Sequence, residues 1–194
     1  MNILKALQDR DHLIVPTNGV VKKDGSLVMG GGIAKFVRDN FVEVGTGKRI
    51  DKVLGELVNN YGNKPYFILA CSRNKQIEVG IISFPTKKGL VRTSEISPEE
   101  VLPKYRRELY KRKFIEGWKL KSDLSLIIQS FEELLKMISR NPLFCYTLYL
   151  PLVGVGLGGL DEEDVLPVYR EYVFRLRNYY NKVVVFTRNG TVKV

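Results

Sequence analysis

The sequence predicts a three-layer α/β fold around a mixed sheet, on three observations. Apolar runs of strand length at residues 12–17, 66–71, 77–84, 145–150 and 183–187 alternate with stretches of helical spacing. Two glycine-rich segments, at residues 30–32 and 154–159, each lead into a helix start. With 194 residues and 44% hydrophobic composition, the chain can bury a real core. No repeat or linker divides it, so residues 1–194 read as one domain.

Taken in order, Asn2-Ile3-Leu4 opens as a short helical or turn segment, and residues 12–17 read as a buried strand ending at Asn18. His12 is expected as a surface or strand-entry residue, at the wrong end of its strand for a site. Residues 22–26 form a polar loop. Residues 33–40 are helical, with Ile33, Phe36 and Val37 on one face, and residues 50–61 repeat the pattern up to a C-cap at Gly62. Strands 66–71 and 77–84 flank the turn Ser72-Arg73-Asn74-Lys75. Ser97-Pro98-Glu99-Glu100 has a Ser N-cap, Pro at the first position and a capping-box Glu, so a helix is expected there. It would set Tyr105, Leu109, Tyr110 and Phe114 on one side, with Arg106, Arg107, Lys111, Arg112 and Lys113 over much of the rest. Leu124, Ile127, Ile128, Phe131, Leu134, Leu135 and Ile138 mark a core helix. Asp161 caps a helix over 162–177. Residues 183–187 are a strand in which Phe186 reads as core, and Asn189-Gly190 turns into a short final strand at 191–194.

Composition excludes several classes. No apolar run approaches the roughly 18 residues of a membrane span, and the first residues lack the apolar stretch of a signal peptide, so a cytoplasmic location is expected. Cys71 and Cys145 lie in apolar runs and read as buried thiols, and with one His no metal site is expected. The net charge of +10 suits a polyanionic partner. Residues 88–121 hold ten Lys/Arg against five Glu, about half of that excess. A merely solvated face explains the charge equally well.

Three consecutive glycines are not there for packing. Gly30, Gly31 and Gly32 let the main chain approach a ligand, and a helix starting at Gly32 turns the free N–H groups of its first turn, with Ile33 and Ala34, toward an anion. The second stretch, Val153-Gly154-Val155-Gly156-Leu157-Gly158-Gly159, follows a strand. If the two strands are neighbours, both loops lie at carboxyl ends, where open α/β sheets bind ligands. Neither stretch is a Walker A loop or a dinucleotide fingerprint. A diphosphate remains the ligand that suits two such loops.

These residues carry a resemblance. Asn18, Met29-Gly30-Gly31-Gly32-Ile33-Ala34, Phe84-Pro85-Thr86-Lys87 and residues 154–161 resemble, in order, the motifs of macro domains, which bind ADP-ribose. Within that superfamily the resemblance points to the branch of DarG-type antitoxin macro domains and the terminal ADP-ribose glycohydrolase. It implies a macro domain with adenine near Asn2 and Ile3, diphosphate between the two glycine loops, and distal ribose against Asn18 and Lys87, with Pro85 and Thr86 alongside. Asn2 stands where many members carry Asp, and residue 1 leaves no room for their first strand. On its own residues Asn18 is equally a turn Asn, and Lys87 alone reads as a solvated cation. The resemblance makes Lys87 the catalytic residue, an amine desolvated enough to act as nucleophile or base near neutral pH. The glycohydrolase's second-loop acid is matched here by Gly158. Trp118 and the helix start at Ser122 come some thirty residues later than in the relatives, so residues 89–117 read as a basic helical insertion.

The expected function is ADP-ribose binding with hydrolytic removal of ADP-ribose from a modified macromolecule, DNA among the candidates, without cofactor or metal. Nucleic acid is a candidate partner through the insertion. Two alternatives stay open: a phosphatase for ADP-ribose 1″-phosphate, and a module that binds ADP-ribose without turnover.

Overall fold

The computed structural model describes residues 3–74, 76–140, 147–187 and 189–194. A seven-stranded sheet runs in the order β2 (Phe41–Glu43), β3 (Tyr66–Ser72), β4 (Glu78–Lys87), β1 (His12–Asn18), β7 (Thr147–Pro151), β8 (Lys182–Thr187), β9 (Gly190–Thr191). Strands β4, β1, β7 and β8 are parallel, while β2, β3 and β9 join antiparallel. The sheet is therefore mixed, and the ends of the four parallel strands, at Asn18, Lys87, Pro151 and Thr187, share one edge of the fold.

Period-two alternation along the strands builds two cores. Leu13, Val15, Val79 and Ile81 face α2 (Gly32–Asn40) and α3 (Ile50–Tyr61), together with Ile3 and Leu7 at α1 (Ile3–Ala6). Ile14, Ile82, Phe84, Leu148 and Leu150 face α4 (Leu124–Arg140) and α5 (Glu162–Leu176). Helices thus cover both faces, the three-layer arrangement expected. Phe131 of α4 stacks on Tyr172 of α5 at 4.6 Å and meets Phe84 edge-on at 4.8 Å. Among the described residues no helix is long and apolar enough to cross a membrane.

The insertion differs from expectation. Its capping box at Ser97 forms, but it starts only a short 3-10 turn, Pro98–Glu100. Pro103 explains the break: it lacks an N–H and forces Leu102 into an extended conformation, so a second 3-10 turn, Pro103–Glu108, must begin afresh. Phe114 then lies on β6 (Phe114–Glu116), which pairs antiparallel with β5 (Leu90–Arg92). Val101, Ile115 and Leu120 form a small core of their own, packed by Tyr105 and Leu109. Tyr110 and Phe114, expected on one side of a helix with Tyr105 and Leu109, are instead exposed and lie apart from that pair's core.

Smaller corrections follow from packing. His12 opens β1 as expected but is buried, its ring between Phe67 and Tyr180 and its Nδ1 at 3.0 Å from the Tyr180 hydroxyl. Cys71 is half-buried, and Cys145 lies outside the described residues. Asp161 is the N-cap of α5 without a side-chain cap bond. The final strand is shorter than 191–194.

Candidate functional site

The sheet explains where a site can form. The chain leaves β1 toward one side of the sheet, and the connection after β4 crosses to the other side to reach β7. Such a reversal is where open α/β sheets bind ligands. Pairing between β1 and β7 covers only His12 and Leu13, so the ladder stops well short of Asn18 and Pro151.

The first glycine segment stands at the N-terminus of α2. Gly30, Gly31 and Gly32 are exposed, Gly32 has φ +53°, and Gly31 is an N-cap without a side-chain bond, so the first-turn N–H groups keep their partial positive charge for a ligand. Ala34 is buried and Ile33 half-buried beneath them. The second segment begins at the buried Val153. Among the described residues, turn bonds use the N–H groups of Gly158, Gly159 and Leu160, not those of residues 155–157. Gly154, Gly156 and Gly159 have φ of +91°, +60° and +76°. The two segments approach each other: a Cβ on Gly31 would lie 3.5 Å from a methyl of Leu157.

Asn18 is buried, and its side chain ties down the loop that follows. Its Nδ2 donates to the Val28 carbonyl, and its Oδ1 accepts from the Val20 N–H, both at 2.9 Å. One amide proton and one lone pair are left over. The 22–26 loop is folded back by Asp24 onto Ser26 and held to α3 by Lys52.

Lys87 is the cross-strand partner of Asn18. Its Nζ donates to the carbonyls of Leu120 at 2.7 Å and Leu157 at 3.3 Å, joining the stretch just after the insertion to the second glycine segment. Burial, and behind it the charge of Lys104 in the insertion, push its amine down to about 8. Pro85 and Thr86 are buried supports: Ser130 donates to the Pro85 carbonyl, and Thr86 Oγ1 bonds back to the Thr17 carbonyl. Asn63 donates to the Lys87 carbonyl.

No family model matches the sequence, and no curated protein matches it. Solved structures do. The macrodomain of Mycobacterium tuberculosis DarG matches over 91% of this chain and 89% of its own, with TM-score 0.56 and 20% identity. The macrodomain of Thermus aquaticus DarG matches over 94% and 93%, with TM-score 0.57 and 17% identity. Thermosipho africanus DarTG in complex with ADP-ribose matches over 94% of this chain and 39% of its own, with TM-score 0.57 and 17% identity. The chain has the macrodomain fold.

Within the macrodomain fold, the remaining residues singled out from the sequence fall as follows. Asn2 lies outside the described residues. Ile3 buries its side chain in the α2/α3 core, so its main chain is what it has to offer a ligand. Gly158 is buried, and a Cβ there would lie 2.7 Å from Ser122 Oγ, so Ser122 fills the space an acid at 158 would need. Sequence reading missed Ser122, the Leu120 carbonyl, Asn63 and Tyr169, whose hydroxyl bonds the main chain on either side of Leu152. None carries a local signal, because each acts through a contact remote in sequence. Among the described residues no group of three His, Cys, Asp or Glu side chains is close enough to hold a metal ion.

Proposed function

We propose that this chain binds ADP-ribose and hydrolytically removes it from a modified macromolecule. The observation that carries the reading is Lys87: a half-buried amine lowered to about 8, beside Asn18, where two glycine segments meet. In this reading the N–H groups at α2 and at residues 155–157 take the diphosphate, and the spare donor and acceptor of Asn18 take the distal ribose. Neutral Lys87 then acts at the anomeric carbon as nucleophile or base. The bond to the acceptor breaks, and water supplies the new hydroxyl.

For the acceptor we propose DNA first, since Lys104, Arg106, Arg107, Lys111 and Lys113 lie exposed on the insertion, whose small core packs Leu120, the residue whose carbonyl accepts from Lys87. A cytoplasmic location, one domain over 1–194, and action without cofactor belong to the same proposal.

The test is calorimetry with ADP-ribose, then incubation with ADP-ribosylated DNA, ADP-ribosylated protein and ADP-ribose 1″-phosphate side by side. Release of ADP-ribose from DNA, lost in Lys87→Ala, is the expected result. Turnover of the 1″-phosphate alone makes the chain a phosphatase. Binding without any turnover makes it a recognition module.

A further inference from the structure

We propose that Tyr169 is a positioning residue for the second glycine segment: its phenol sets the course of residues 153–159 and thereby the affinity for ADP-ribose. The inference rests on the reading that this segment cradles the diphosphate. Ladder bonding of β7 ends where the Leu152 N–H donates to the Phe186 carbonyl at 2.8 Å. One residue later the Val153 N–H turns away from the sheet and donates to the Tyr169 hydroxyl at 2.7 Å, and that hydroxyl donates to the Pro151 carbonyl at 2.6 Å. A phenol offers one proton and an accepting oxygen, and both are used here on main-chain atoms either side of Leu152.

The oxygen cannot wander. Tyr169 is fully buried in α5, its ring edge-on to Phe131 at 5.3 Å. Beyond the bridge, Gly154 packs so closely that a Cβ would lie 2.9 Å from Ile127 and 3.0 Å from Leu160, and the Leu160 N–H returns to the Gly154 carbonyl at 2.9 Å. The segment is thus anchored at its start by Tyr169 and closed at its end, with the 3-10 turn Gly156–Gly158 between. Removing the hydroxyl leaves the ring packing intact but strips a partner from a buried N–H and a buried carbonyl. The main chain must then shift to satisfy them, and the N–H groups of residues 155–157 move with it.

Tyr169→Phe is compared by calorimetry with wild type and with Ile138→Val, a core variant of similarly small volume change on α4. The expected result is a loss of about tenfold or more in ADP-ribose affinity for Tyr169→Phe and no change for Ile138→Val at comparable loss of thermal stability. The Val153 amide proton should also shift upfield in the variant. Tight binding by wild type with unchanged affinity in folded Tyr169→Phe overturns the inference alone. No binding by wild type overturns it together with the ADP-ribose reading. Should the variant not fold, hydrogen exchange on wild type decides: a Val153 amide as protected as those of β7 supports the role, and one exchanging as fast as Gly156 overturns it.

Discussion

Asn18 and Lys87 face each other across the parallel β1–β4 ladder because of a bulge. Thr17 still pairs with Pro85, so a regular ladder would set Asn18 against Thr86 and turn Lys87 to the opposite face. The ladder skips Thr86, and Lys87 falls opposite Asn18. Thr86 is buried and bonds back to the Thr17 carbonyl.

Lys87 should therefore decide chemistry and not binding. Lys87→Ala is expected to reduce turnover by at least about a hundredfold while ADP-ribose affinity stays within about threefold. In the proposed mechanism the neutral amine is the active form, so kcat should rise with pH through about 8 and level off. Lys104→Glu replaces a nearby cation by an anion, favours the ammonium, and should move that limb to higher pH. A pH profile without a limb in this range, or full activity in Lys87→Ala, removes the catalytic assignment.

Gly31→Glu tests the diphosphate cradle. Gly31 has φ −150°, which any residue adopts, and the space around its Cβ holds only a Leu157 methyl at 3.5 Å, so the variant should fold. A carboxylate at the start of α2 should lower ADP-ribose affinity by about a hundredfold or more. Gly156→Glu should do the same at an added stability cost of about 1 kcal/mol or more, since φ is +60° there. Unchanged calorimetric affinity in folded Gly31→Glu would put the diphosphate elsewhere.

The insertion's charges divide into spent and unspent. Lys119 is buried against Glu108 and Glu116, and Arg112 also pairs with both, so these four hold the lobe together. Arg106, Arg107, Lys111 and Lys113 are exposed, as are Tyr110 and Phe114, with Lys113 over the Phe114 ring, residue types suited to phosphates and stacked bases. Changing those four to Ser should flatten the log–log salt dependence of single-stranded DNA binding by about 3, and leave ADP-ribose affinity within about twofold. Filter binding across a salt series that shows no DNA binding by wild type leaves the lobe as a cover for the site.

His12 should make folding sensitive to mild acid. Burial pushes its imidazole from 6.5 down to about 4, so between those values the unfolded chain binds the proton and the folded chain does not. The sign is then fixed: stability is full above about 6.5 and falls as pH drops toward 4, by up to about 3 kcal/mol from this residue. Urea unfolding of wild type and His12→Gln across this range should converge as pH falls. Parallel curves would mean that His12 titrates normally in the fold.

The layers and the loops were legible in the residues alone. Alternation in strands such as Leu13-Ile14-Val15 requires two covered faces, and glycines at 30–32 and 154–159 mark where main chain must come close to something, because these signals are local and periodic. The geometry around Lys87 and the shape of the insertion depend instead on contacts between residues far apart in the chain. The bulge that turns Lys87 toward Asn18 exists only once β1 and β4 pair. The Leu120 and Leu157 carbonyls that hold its amine come from segments more than thirty residues away. A capping box at Ser97 looks like a helix start, yet Pro103 and a small core around Val101, Ile115 and Leu120 turn that stretch into turns and a hairpin. Local propensity proposes an element, and burial of apolar side chains decides whether it survives.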